Sequence, residues 1–180
     1  MRADIEKILI TKEEISEMVK RLGNEISQDY KDKELVVIGI LKGGFIFMAD
    51  LIREINIGLR LDFMSVASYG ASTKSTGVVK INKDVDIDIN GKDVLIVEDI
   101  IDTGLTLTYI RELMEGRGAK SVKLVTAFDK PSRRKVELTA DYTGITVPDE
   151  FIVGYGLDFN NKYRNFPEIG VLKAEMYKKK

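Results

Sequence analysis

Three runs rich in β-branched residues constrain this chain most: the continuously apolar Glu34-Leu-Val-Val-Ile-Gly-Ile40 and Asp93-Val-Leu-Ile-Val-Glu98, and Ser121 to Phe128, which reads as a third buried strand. A strand that is apolar at nearly every position has no face to give to water. It belongs inside a parallel sheet covered on both sides. Gly43 and Gly44 break the first run, and a helix from about Phe45 to Glu54 follows. After the second run, Leu107, Ile110, Leu113 and Met114 recur at helical spacing, and Gly116 or Gly118 ends that helix. Strands alternating with helices predict an α/β fold with a mostly parallel, twisted sheet flanked by helices.

The rest of the chain fills in around this pattern. Thr11 followed by Glu14 fits a capping box, and Ile15, Met18, Val19, Leu22 and Ile26 share one helical face, so a helix is predicted from Thr11 to about Asp29. Leu59 to Ser68 alternates as a strand. The nearly apolar-free stretch Tyr69 to Gly77 reads as a loop. Val78 to Ile81 and the acidic Lys83 to Asp88 suggest an edge strand or an excursion. After Asp129 the pattern loosens into irregular segments and short strands. The expected organisation is a single domain over residues 1–180, with a core at about 34–130 and a small hood made by about 1–30 and 131–180.

Composition then excludes several kinds of chemistry. The chain has no Cys and no His. Thiolate nucleophiles and Cys-rich zinc sites are impossible, and acid–base work falls to Asp, Glu, Lys or Tyr. A bound metal is expected to be a hard ion held by oxygen, such as Mg²⁺. The formal net charge is −1, without the basic surplus usual for nucleic-acid binding, so no nucleic-acid partner is expected. The opening MRADIEKILIT has no long apolar stretch, and no run of about 18 apolar residues occurs. A cytoplasmic protein with no membrane partner is expected.

The segment Val97-Glu-Asp-Ile-Ile-Asp-Thr-Gly-Leu-Thr-Leu107 carries the chemistry. A buried strand runs into two acids and then into a small-residue turn that opens a helix. Ligands of open α/β sheets bind at the carboxyl ends of strands. Thr103, Gly104 and Thr106 at a helix N-terminus can hold a phosphate with backbone N–H groups and hydroxyls. Glu98 and Asp99 beside it can accept from sugar hydroxyls or hold Mg²⁺. Read singly, the same acids could be strand-end surface residues, and Asp102 could be a helix cap.

The string Glu98-Asp-Ile-Ile-Asp-Thr-Gly-Leu-Thr106 resembles the phosphoribosyl pyrophosphate motif of the type I phosphoribosyltransferases, above all their hypoxanthine-guanine members. Leu41-Lys-Gly-Gly44 resembles the family's pyrophosphate loop, and Ser68-Tyr-Gly70 the start of its flexible catalytic loop. Lys130 and Phe151-Ile-Val-Gly-Tyr-Gly-Leu-Asp158 resemble its purine-binding elements. Arg164 matches a pyrophosphate contact.

The resemblance implies purine salvage: a 5-phosphoribosyl group passes from phosphoribosyl pyrophosphate to a 6-oxopurine, with Mg²⁺ as cofactor, in a homo-dimer or homo-tetramer. It implies that Lys42 and Gly43 contact pyrophosphate, with a cis peptide between Leu41 and Lys42. Asp102 becomes the general base that takes the N7 proton as N9 attacks ribose C1. Glu98, Asp99, Thr103, Gly104, Leu105 and Thr106 hold the ribose and its 5-phosphate. Lys130 donates to O6, Phe151 stacks on the ring, and Ile152 offers backbone groups to the base edge. Asp158 holds a second Mg²⁺, and Ser68 and Tyr69 close over the reacting centre. Leu105 stands where some relatives carry Lys, which leaves phosphate binding to backbone groups and threonine hydroxyls. Without the family, Lys130 reads as one more surface lysine, and Phe151 and Ile152 as core. A nucleotide-sensing regulatory protein on the same fold, or a xanthine-preferring transferase, are the competing readings.

Overall fold

A computed structural model describes residues 1–68 and 79–177. Of the two residues expected to begin the flexible loop, Ser68 ends a strand and Tyr69 lies outside the described residues.

The main sheet has six strands in the order β4-β3-β2-β5-β6-β7. They are β2 (Leu35–Leu41), β3 (Leu59–Ser68), β4 (Val79–Lys83), β5 (Asp93–Ile101), β6 (Ser121–Asp129) and β7 (Tyr142–Thr146). All neighbours run parallel except β4, which pairs antiparallel with β3 at the edge.

The apolar runs are buried on both faces, as their composition predicts. On β2, Leu35 and Val37 face one cluster and Val36, Ile38 and Ile40 the other. The first cluster is closed by α1 (Lys12–Asp29) and α2 (Phe45–Glu54), the second by α3 (Leu105–Gly116). Leu22, Val37, Phe47, Leu95 and Ile110 are fully buried, and each such side chain contributes about 1.5–3 kcal/mol of transfer free energy. α1 begins at the expected capping box: Glu14 N donates to Thr11 Oγ1 at 3.2 Å, and Thr11 N to Glu14 Oε2 at 2.7 Å.

The smaller layer is an antiparallel sheet, β1-β9-β8, built from β1 (Ile5–Ile10), β8 (Ile152–Val153) and β9 (Ile169–Leu172). It encloses its own cluster of Ile5, Val153, Tyr163, Phe166 and Leu172. This is a hood made from both chain ends.

Two boundaries differ from those expected. α1 packs on the main sheet with α2 and not in the hood, because its stripe of five apolar residues needs a broad apolar surface. β7 extends the main sheet past residue 130, pairing Tyr142 with Val125 and Ile145 with Phe128. Gly144 permits this layering: a Cβ there would overlap the Ala127 carbonyl oxygen and Met18 Sδ of α1.

The strand order fixes where a ligand can sit. The chain leaves β2 toward β3 on one side, while β5 and β6 lie on the other. The carboxyl ends of β2 and β5 therefore flank the topological switch point, where the loops diverge and leave a crevice. Among the described residues, no helix is long and apolar enough to cross a membrane.

Candidate active site

β5 runs three residues further than its apolar run suggests, to Ile101. The reason is β6, which continues alongside and pairs Glu98 with Thr126, Ile100 with Phe128 and Ile101 with Asp129. Glu98 and Asp99 are thus strand residues inside the protein, not solvent-facing acids beyond a strand end. Asp99 is buried and Glu98 half-buried. Asp99 N donates to Glu98 Oε1 at 3.1 Å, and Ile100 N to Asp99 Oδ1 at 2.8 Å. Burial, reinforced by the neighbouring Asp99 charge, pushes the Glu98 carboxyl well above its ordinary value. Burial also pushes Asp99 up, against the opposing pull of hydrogen bonds and the Arg164 guanidinium.

Beyond Ile101 the chain turns through Asp102, Thr103 and Gly104 into α3. Gly104 caps that helix with φ 82°, a conformation that favours glycine. The segment after Lys130 clamps this turn. Arg134 Nη1 donates to the Asp102 carbonyl at 2.7 Å, and Lys135 N donates to the Thr103 carbonyl at 3.0 Å. Arg134 also pairs with Asp129. A Cβ on Gly104 would stand 3.0–3.3 Å from Val136, Arg134 and Leu138.

Two adjoining cavities share Asp99 and Ile100. The smaller, about 250 Å³, is lined by Glu98, Asp99, Thr103, Gly104 and Thr106. Leu105 is not part of that lining; it opens α3 and is 40% exposed. The larger, about 500 Å³, is lined by Asp102, Lys130, Phe151, Ile152, Leu157 and Asp158 among others. Asp102 Oδ1 is buried there and has no hydrogen-bond partner among the described residues, with Arg133 Nε 3.9 Å away. Lys130 is buried, and its Nζ donates to the Glu150 carbonyl at 2.9 Å. An ammonium has three protons, so two donors remain beyond the bond to the Glu150 carbonyl.

The loop that follows β2, Leu41 to Gly44, packs beside Asp99. The Leu41–Lys42 peptide is cis, as the resemblance implies. Lys42 is exposed and lines neither cavity, while Gly43 lies against the Asp99 carboxylate. A Cβ on Gly156 would overlap the Gly43 carbonyl oxygen, so hood and core meet there backbone to backbone. Arg164 Nη1 donates to the Gly156 carbonyl at 2.6 Å, and Nη2 pairs with Asp158 Oδ1 at 2.6 Å. Asp158 Oδ2 accepts from Asn161 N at 2.7 Å. Arg164 lines a separate hollow of about 430 Å³ against α1 and α2.

No cluster of three acids with metal-binding geometry occurs among the described residues. The donor set therefore does not make a protein cage. It suits an ion held by one or two carboxylates and completed by substrate oxygens and water, the usual way Mg²⁺ is bound.

The sequence reading missed Arg133, Arg134, Asp149, Glu150 and Tyr177. Only the basic run from Lys130 to Lys135 hinted at the first two. Nothing in the sequence shows that a backbone carbonyl, that of Glu150, orients Lys130.

The model of a family described as phosphoribosyl transferase domain matches residues 7–160. This chain belongs to that family. It is 56% identical over 177 residues to the hypoxanthine-guanine phosphoribosyltransferase of Bacillus subtilis strain 168, a match covering 98% of each protein. It is 51% identical over 177 residues to a longer protein of Listeria monocytogenes serotype 4b, the bifunctional protein TilS/HprT. That match covers 98% of this chain and 27% of the relative. Among solved structures, a hypoxanthine phosphoribosyltransferase from Staphylococcus aureus superposes with a TM-score of 0.97 at 50% identity, covering 99% of this chain and 97% of that one.

Proposed function

We infer that this chain is a purine-salvage enzyme. It transfers the 5-phosphoribosyl group from phosphoribosyl pyrophosphate to hypoxanthine or guanine, giving IMP or GMP and pyrophosphate. The observation that carries the reading is the junction of the two cavities at Asp99 and Ile100. One is walled by a threonine-rich helix N-terminus and the other by Lys130, Phe151 and Asp102. A sugar phosphate and a purine fit this pair when joined at their shared wall, and the identity to the Bacillus relative supports it.

In this reading the 5-phosphate lies on the backbone and hydroxyls of Thr103, Gly104 and Thr106, at the positive end of α3. Glu98 and Asp99 accept from the ribose hydroxyls. The base lies on Phe151, with Ile152 along its edge and Lys130 donating to O6. N9 attacks ribose C1, the bond from C1 to pyrophosphate breaks, and the N7 proton passes to the Asp102 carboxylate. The unpartnered Oδ1 of Asp102 suits it to accept that proton. Lys42, Gly43 and Arg164 receive the pyrophosphate. Arg164 reaches it by exchanging or sharing its pairing with Asp158, since a guanidinium fork binds oxyanions in pairs.

Mg²⁺ is the proposed cofactor: Glu98 and Asp99 would hold one ion, and Asp158 a second. Bound there, it supplies positive charge against the pyrophosphate oxygens. Both Asp158 oxygens already have protein partners, so Asp158 would act through water. We further propose one domain over residues 1–180, a cytoplasmic location, and a homo-dimer or homo-tetramer.

The test is a product assay with Mg²⁺, phosphoribosyl pyrophosphate and four bases. Hypoxanthine or guanine yields its nucleotide and adenine does not; xanthine measures how far the selection extends. No product from either of the first two removes the reading. Lys130→Ala raises KM for hypoxanthine and guanine by about 10- to 100-fold, the size of a charged hydrogen bond, and narrows the preference over adenine. Unchanged discrimination would show that O6 is recognised elsewhere.

A further inference from the structure

One aromatic ring in the larger cavity has no part in the scheme above. Tyr177 ends the short helix α4 (Ala174–Tyr177), and its ring lies stacked on Phe151, with centroids 4.6 Å apart and planes 16° from parallel. The Phe159 ring meets Phe151 at 5.6 Å and 89°. Tyr177 and Phe159 both rest on the hood cluster of Ile5, Val153, Tyr163, Phe166 and Leu172. Phe151 thus stands between a parallel and a perpendicular ring, each seated on the hood. It remains 39% exposed. A cavity of about 500 Å³, with Ile100 and Leu157 in its wall beside Phe151, stays open with this stack in place.

We propose that Tyr177 is a positioning residue for the purine: stacked on one face of Phe151, it fixes the plane against which the base lies on the other. This rests on the reading that Phe151 carries the base. An exposed phenyl ring on a strand end can rotate about its side-chain torsions and presents no fixed plane. A second ring parallel to it removes much of that freedom before the base arrives, so less is lost on binding. Offset-parallel packing at this spacing is a favourable aromatic geometry. The open cavity argues against the opposite role, in which Tyr177 occupies the base's own place. The C-terminal helix is thereby tied to base affinity, although it lies outside the phosphate-binding motif.

The test compares Tyr177→Ala, Tyr177→Phe and Phe151→Ala. Tyr177→Ala raises KM for hypoxanthine and guanine by about three- to tenfold, the size of one aromatic pair. Its kcat and its KM for phosphoribosyl pyrophosphate stay within about twofold. Tyr177→Phe restores the base KM, because the ring and not the hydroxyl makes the stack. A base KM unchanged or lowered in Tyr177→Ala overturns the proposal, as does an equal rise in both KM values, which would mark general loosening of the hood. Phe151→Ala separates the two levels. If it raises the base KM while Tyr177→Ala does not, the base site stands and only the role of Tyr177 fails. If neither variant moves it, the base site itself falls. The chain contains no Trp, so Tyr177→Trp also places a single, selectively excitable tryptophan on Phe151. Saturable change in its emission on adding IMP is expected, and no change would contradict the proposed stack.

Discussion

Asp102→Asn is expected to lower turnover about 10²-fold or more, the usual cost of removing a general base, while leaving nucleotide binding largely intact. The asparagine amide has nearly the shape of the carboxylate. The backbone contact that holds the turn, from Arg134 Nη1 to the Asp102 carbonyl at 2.7 Å, does not depend on the side chain. What is lost is the ability to accept a proton. With no His or Cys in the chain, a substitute base would have to be one of the other carboxylates on the cavity wall, Asp99, Asp149, Glu150 or Asp158, and each of these already accepts a hydrogen bond. Steady-state kinetics separates the outcomes: kcat falls, and KM for phosphoribosyl pyrophosphate stays within about threefold. Turnover near that of the unmodified enzyme would reject Asp102 as the base.

Gly43→Ala is expected to reduce kcat/KM for phosphoribosyl pyrophosphate by about 10²-fold, although it adds one methyl group. The added Cβ would overlap Asp99 Oδ2 and stand 2.6 Å from Asp99 Cγ. Either the loop withdraws or the carboxylate swings away, and both groups belong to the proposed ribose and pyrophosphate sites. A displacement of about 1 Å at a reacting centre costs on the order of 10²-fold. Overpacking also lowers stability by about 1–3 kcal/mol, so a thermal melt should accompany the kinetics. The melt shows whether the protein is still folded at assay temperature, which attributes the loss to geometry. A kcat/KM within about threefold of the unmodified enzyme would mean that the close packing of Gly43 on Asp99 has no functional weight.

The fold was legible wherever a run of side chains settled its own environment. The three apolar strands, the capping box at Thr11 and the helix at Phe45–Glu54 follow from local pattern alone. β7 was not legible, because Tyr142-Thr-Gly-Ile-Thr146 is short and carries a glycine; it is a strand because β6 offers it an edge. The hood's first strand was hidden similarly, since Ile5–Ile10 pairs with residues more than 150 positions away. In the site, the motif from Glu98 to Thr106 announced itself by composition. Arg134 and Glu150 did not, because each acts through a backbone carbonyl, its own or its partner's, and carbonyls leave no mark in a sequence. Tyr177 carried no signal either, because its ring meets Phe151 only through the fold.

The most direct measurement is a crystal structure with IMP bound. The hypoxanthine ring should lie along Phe151, with O6 within hydrogen-bonding distance of Lys130 Nζ, N7 toward the Asp102 carboxylate, and the phosphate seated on the turn from Thr103 to Thr106. A base settled in the hollow between α1, α2 and Arg164, or a phosphate bound away from that turn, would contradict the account.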